Sequence, residues 1–350
     1  MFHHIIVPLD ESLLAEQAIP IAAHIARASG GSLRFIHVVH DPIDYAWQYG
    51  EEALVSKNIV EADYSRMENY LKQITGRSDL QGIQVATEVL SGNPAQAILN
   101  ASKANKADLI VICSHGYTGV KRWLLGSIAR KLLHQSTIPT LLLHPTADGH
   151  ATSIQANQDH VRIMVPLDGS SFAEEALAPA AALSGMLSSS SQGTLHLASI
   201  LPISKSDKPH SSEHEKSIKQ AQGYLMALEQ HLFPAEGTEP QPYITTSITL
   251  NPDIAHALVE LAESGKGAEQ SGEQLPACDI IAIATHGRGA LARWAIGSIT
   301  ERVLDTTRLP VLVIRPQAMS IHEEKHDTEH NKKPVEPQSD EGQSSWVGLL

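Results

Sequence analysis

Gly126-Ser127 and Gly297-Ser298 each open a stretch with helical spacing, SIARKLLHQS and SITERVLDT. A glycine and a serine at a helix start suit phosphate. The first backbone N–H groups have no partner within the helix, the helix dipole is positive there, glycine lets the backbone come close, and the hydroxyl adds a donor. Each pair follows another glycine, Gly116 or Gly287, after nine intervening residues, and these follow Cys113-Ser114-His115 and Ala284-Thr285-His286. Asp10 and Asp168 end the short apolar runs IIVPLD and IMVPLD, and they read equally as N-caps of the next helices or as ligand contacts.

The rest of the chemistry is thin. His115 and His286 have no nucleophile or carboxylate at a matching spacing in both copies, so a structural or ligand-orienting role outweighs acid–base work. No P-loop lysine follows either glycine motif and no carboxylate pair is set to hold magnesium as in known ATPases, so rapid hydrolysis is not expected. Cys113 reads as a buried strand end without a resolving thiol, and Cys113 and Cys278 sit at unmatched positions, so neither a disulfide framework nor a shared redox pair is suggested.

The elements that position these residues occur twice. The offset is 158 residues at the opening aspartates and 171 at the closing glycines, and the extra residues fall in Ser264–Ala277, small and polar like a surface loop. In the first copy the pattern reads strand (HIIVPLD), helix (12–30), strand (SLRFIHVV), helix (51–74), strand (VATEVL), helix (PAQAILNASKA), strand (DLIVICS), helix and strand (PTLLLHP). The second copy repeats that order from Val161 to Ile314. Strands alternating with helices imply right-handed crossovers, hence an α/β chain of two tandem doubly wound parallel-sheet, Rossmann-like domains. The expected units are 1–145 and 160–316, with a linker at 146–159 and a polar, disordered tail at 317–350. In such sheets ligands bind beyond the carboxyl ends of the strands where strand order reverses, which is where the aspartates and the glycine motifs fall.

The net charge is −13 without a basic stripe, which argues against nucleic acid and anionic membranes as partners. No apolar run is long enough to span a membrane and the first strand leaves no room for a signal peptide, so the expected location is the cytoplasm. The apolar final strands, PTLLLHP and PVLVIRP, would leave exposed edges in isolated domains, and they are expected to pair the halves as a pseudo-dimer, a homodimer being the further option. Tyr45, Trp47 and Tyr49 read as a contact patch or as a loop folded back on its own domain. His322, His326 and His330 recur at a spacing of four, yet the polar tail around them argues against a metal site.

At these motifs the chain resembles the universal stress protein family in its tandem form, over residues 1 to about 145 and about 160 to 316. The nucleotide-binding members carry G-x2-G-x9-G-[ST] after the fourth strand. Here the pattern reads Cys113-x2-Gly116-x9-Gly126-Ser127 and Ala284-x2-Gly287-x9-Gly297-Ser298, with the first glycine replaced in both copies. The resemblance implies a stress-response protein that binds an adenine nucleotide, ATP or AMP with Mg2+ as an optional companion, and changes its contacts with an unknown protein partner. A slow ATP hydrolase and a nucleotide-free scaffold are the alternatives. It places Pro8, Asp10 and Val38 near base and ribose, and Cys113, Ser114, His115, Gly116, Gly119, Gly126, Ser127 and Ile128 around ribose and phosphates. The second set is Pro166, Asp168, Ser199, Ala284, Thr285, His286, Gly287, Gly297, Ser298 and Ile299, extending along the loop to Ala290.

Overall fold

The computed structural model describes residues 1–39, 57–114, 125–144, 160–189, 192–204, 212–232, 241–266, 269–270, 273–285 and 296–316. Its first half contains β1 (His4–Pro8), α1 (Leu13–Glu16), α2 (Ala18–Ser29), β2 (Ser32–Val39), α3 (Lys57–Thr75), β3 (Gln84–Ser91), α4 (Pro94–Ala104), β4 (Leu109–Cys113), α5 (Ser127–Gln135) and β5 (Thr140–Leu143). The second half contains β6 (Arg162–Pro166), α6 (Ser171–Glu174), α7 (Leu177–Leu187), β7 (Thr194–Pro202), α8 (Ser212–Leu232), β8 (Tyr243–Asn251), α9 (Ile254–Ser264), β9 (Glu269–Gln270), β10 (Glu273–Gln274), β11 (Ile280–Ala284), α10 (Ser298–Thr306) and β12 (Val311–Ile314). The linker, the tail, the aromatic trio around Trp47 and the start of the helix expected from residue 51 lie outside the described residues.

Two local departures from the sequence pattern have simple causes. The helix expected over 12–30 is broken at Gln17 into α1 and α2. Pro20 has no N–H to give the carbonyl of Glu16, so a continuous ladder is unavailable. Pro179 stands the same way to Glu175, and α6 and α7 divide there. The insertion at 264–277, expected to be a loop, contains a small antiparallel hairpin, β9–β10, which lies against β8 without joining its sheet.

Each half is a parallel sheet, ordered β3-β2-β1-β4-β5 and β8-β7-β6-β11-β12. The final strands then join the two sheets into one of ten strands. β12 runs antiparallel to β5, with Val311 beside Leu142, Leu312 beside Leu141 and Val313 beside Thr140. The central strands are buried on both faces, as the near-continuous apolar runs LIVIC and IIAIA require. One face is covered by α1–α3 and α6–α8, the other by α4, α5, α9 and α10. Both cores cross the seam without interruption. On the first face His24 Nε2 contacts the Met186 carbonyl at 3.1 Å, and on the second Arg130 of α5 meets Glu301 of α10 at 2.7 Å.

Candidate functional site

Strand order reverses between β1 and β4 in the first half and between β6 and β11 in the second. The crevice beyond the carboxyl ends of those strands is the expected ligand position. The same backbone construction closes both crevices. Ser114 N–H donates to the Leu143 carbonyl at 2.8 Å, while the Ser114 carbonyl accepts Gly126 N–H at 2.8 Å. Thr285 repeats the pattern, donating to Ile314 at 2.8 Å and accepting from Gly297 at 2.7 Å. The end of the fourth strand is thereby tied both to the last strand and to the start of the last helix. That helix begins with glycine, and no side chain caps it in either half. Its leading N–H groups are left to whatever lies in front of them, beside the exposed Ser127 and Ser298. Gly126 and Gly297 have φ near −59° and −58°, so neither serves a left-handed turn.

The aspartates take a role between the two that the sequence left open. The caps are Ser12 and Ser170, whose hydroxyls accept Ala15 N–H at 3.1 Å and Ala173 N–H at 3.3 Å. Asp10 and Asp168 instead brace those caps. Each Oδ1 accepts the backbone N–H and the hydroxyl of the serine two residues on, at 3.1 and 2.5 Å in the first half and 3.0 and 2.6 Å in the second. A carboxylate held this way is oriented at the mouth of the crevice. The residue between aspartate and serine is left-handed in both halves, φ 63° at Glu11 and 81° at Gly169, so the first half accepts backbone strain where the second uses glycine.

Register corrects one correspondence. Pro8 pairs with Ile36 and Pro166 with Ala198, so Val38 corresponds to Ile200, and Ser199 corresponds to His37 on the opposite face of its strand. Val38 and Ile200 pack toward the α4 and α9 face. The His37 ring instead contacts the Leu9 carbonyl at 2.9 Å, beside Asp10, and burial lowers its pKa. An apolar side chain, Ile200, thus stands in the second half at the register of Val38.

Cys113 replaces the first glycine of the motif without filling the crevice. Its side chain packs into the core beneath α2, where Ala18 N–H points to the sulfur. Burial, with Asp10 adding to it, pushes the thiol up to about 12, so it carries no thiolate at neutral pH. Ala284 is buried likewise, and its carbonyl accepts the Thr300 hydroxyl at 3.0 Å; the equivalent residue on α5 is Ala129. Pro8, Asp10, Val38, Cys113, Ser114, Gly126, Ser127 and Ile128 lie at the carboxyl ends of β1, β2 and β4 and the start of α5, and Pro166, Asp168, Ala284, Thr285, Gly297, Ser298 and Ile299 at the corresponding ends of β6 and β11 and the start of α10. His115, Gly116, Gly119, His286 and Gly287, with the loop on to Ala290, lie outside the described residues.

Sequence reading missed two constructions. Tyr70 donates to Glu16 at 3.2 Å and Tyr224 to Glu174 at 2.9 Å, tying the long helix of each half to the short helix behind its aspartate. The signal was a tyrosine on the long helix of each copy and a glutamate six residues after each aspartate. The second construction lies at the amino edge of the sheet, away from the crevices. In the second half Arg162 Nη2 donates to His196 Nδ1 at 3.1 Å and to Thr245 at 2.8 Å, and His196 Nε2 donates to Ser247 at 2.9 Å. A guanidinium only donates, which fixes this tautomer. Arg162 is buried, its Nε has no partner among the described residues, and burial, with Arg162 adding to it, pulls His196 down to about 3. In the first half the same place is an open cleft of about 90 Å³ lined by His4, Ser32, Arg34, Gln84 and Asn105.

Comparison with known proteins agrees with this construction. The model of the universal stress protein family matches residues 1–144 and 161–315. A universal stress protein of Mycolicibacterium smegmatis is 23% identical over 319 residues, covering 89% of this chain and 97% of the relative. One of Thermus aquaticus is 31% identical over 143 residues, 41% of this chain but 99% of its own length. Among solved structures, a universal stress protein of Archaeoglobus fulgidus shares the fold with a TM-score of 0.55 at 16% identity, covering 89% of this chain and 96% of that one.

Proposed function

Because the chain belongs to the universal stress protein family, we propose that it is a cytoplasmic stress-response protein that holds an adenine nucleotide, ATP or AMP, in each of its two strand-end crevices and changes its protein contacts with nucleotide state. The observation that carries this reading is the repeated, side-chain-free helix start: Gly126 and Gly297 each deliver uncapped N–H groups and a serine hydroxyl at a point where strand order reverses. The residues fit such a ligand. Cys113 and Ala284, which depart from the family's glycine, are absorbed by the core below the crevice. Val38 and Ile200 offer an apolar wall for a base, while Asp10 and Asp168 are oriented acceptors for ribose hydroxyls. Residues 1–145 and 160–316 act as the two binding units, with 146–159 joining them. His115, Gly116, Gly119, His286 and Gly287 complete the two phosphate loops.

Bound nucleotide would supply charge to the helix starts; the protein's contribution is binding and orientation. Any Mg2+ would arrive with the phosphates, which together with water supply most of its ligands. The test is to denature purified protein, identify released nucleotide by chromatography and mass spectrometry, and titrate ATP and AMP into the emptied protein by calorimetry. One or two adenine nucleotides per chain, or saturable binding of either, is expected. No retained nucleotide and no heat of binding would leave the glycine–serine turns as structural features and move the function to protein contacts alone.

A further inference from the structure

The strands at the seam meet as twofold-related elements do. Leu141 and Leu312, the second residues of β5 and β12, lie beside one another, with Leu142 against Val311 and Thr140 against Val313 on either side. A ladder of this kind does not choose its partner. Two first halves would set leucine beside leucine equally well, and so would two second halves, so either final strand could accept a like strand from a second copy of the chain. The helices packed on it do choose. Arg130 and Glu301 occupy equivalent positions, the fourth residues of α5 and α10, and they meet across the seam, Nη1 to Oε1 at 2.7 Å, with Asp305 Oδ1 3.4 Å from Nη2. The residue of α5 equivalent to Asp305 is His134.

We propose that this cluster selects the partner: it fits a first half to a second half and turns away a like half from another copy of the chain, so that the ten-stranded sheet closes within one chain. In a pair of first halves, Arg130 would face a second Arg130 with His134 beside it. In a pair of second halves, Glu301 would face a second Glu301 with Asp305 on either side. Arg315, which reaches the His134 carbonyl at 3.4 Å, would there reach that of Asp305 and relieve part of the repulsion, so the pair of first halves is the more disfavoured. Only the unlike pair brings a cation to the carboxylates. On the opposite face of the sheet, the contact of His24 with the Met186 carbonyl sets no charge against another. The three charged groups are about one-third to one-half exposed, where a single ion pair adds little to stability. Selection depends instead on a difference, attraction in one pairing against repulsion in the others, and that difference is about tenfold in pairing constant per seam at low salt.

The test uses two full-length variants, one of them isotopically labelled. Arg130→Glu gathers three acids at the seam, and Glu301→Arg with Asp305→Arg gathers three cations. Each alone should stay one chain per particle and melt below wild type. When the two are unfolded and refolded as an equimolar mixture, each chain's first half matches the other's second half, so a swapped heterodimer satisfies both seams. Two matched seams gain about 100-fold, against about tenfold lost by pairing between chains at about 100 μM protein instead of at the millimolar effective concentration within one chain. Native mass spectrometry should find the heterodimer as the main species, absent from either variant alone and receding at high salt. A mixture that stays monomeric, or dimers of labelled and unlabelled chains in statistical proportion, would overturn the proposal. Should either variant fail to fold, the chain carrying all three substitutions restores opposite charges and should melt near wild type; failure to recover would overturn the proposal equally.

Discussion

The amino edge of the sheet shows what one fold does with two versions of a position. In the first half Arg34 is half-exposed, paired with Glu88 at 3.3 Å, and borders an open cleft. In the second half the residue at that register is His196, fully buried between Arg162 and Ser247, and the inserted segment, through β9, lies against the neighbouring strand β8. A charge left near water is cheap to keep; a guanidinium and an imidazole removed from water depend on one another's protonation. The crevice ends of the two halves show the reverse, since their backbone hydrogen bonds repeat within a tenth of an ångström or so. Divergence is tolerated where the sheet only has to be closed and is small where the backbone itself builds the site.

The largest expected difference between the halves is in acid. His196 is held near 3 when folded and titrates near 6.5 when unfolded, so its contribution is complete above pH 6.5 and is lost as the pH falls toward 3, up to about 5 kcal/mol. His37 in the first half is shifted in the same direction, but it is less buried and its contact with the Leu9 carbonyl opposes the shift. Hydrogen exchange followed by mass spectrometry from pH 7 to 4 should show β7 and β8 losing protection before β2 and β3. Simultaneous loss at both edges would break the comparison.

At the crevices the contrasts are smaller. Thr300→Val leaves the buried Ala284 carbonyl without its donor and should destabilise by about 1–2 kcal/mol, read by thermal unfolding; its counterpart position, Ala129, never had that bond. Ser12→Ala and Ser170→Ala remove a cap and the partner of an oriented aspartate, and each should cost about 1 kcal/mol. Equal costs would support the equivalence of the two turns, and a silent change in one half would refute it. The smallest effect has the opposite sign. Glu11→Gly relieves a left-handed residue, losing only an exposed 3.6 Å pair with Arg66, and should stabilise by about 0.5–1 kcal/mol. The reverse change, Gly169→Glu, should lower the melting temperature.

Much of this is legible in the sequence. Element order, the doubly wound class, the repeat and the glycine–serine helix starts all follow from patterns within a few residues of each other, because periodicity, proline and glycine act locally. The errors were also local in origin. Apolar periodicity runs on through Pro20 and Pro179 where the helices divide, and similarity alone does not set register, so Ser199 aligns with Val38 by sequence whereas the pairings of Pro8 with Ile36 and Pro166 with Ala198 put Ile200 there.

By itself, then, the sequence determined that there would be two α/β halves, each with an aspartate and a glycine–serine helix start at its strand ends. Only the tertiary structure decided which serine caps each turn, that Leu312 lies beside Leu141, and that Arg130 meets Glu301 across 171 positions of chain. The first set arises from residues that are neighbours along the backbone. The second depends on which surfaces water is excluded from once the sheets join, and that is a property of packing between distant segments rather than of any stretch of sequence.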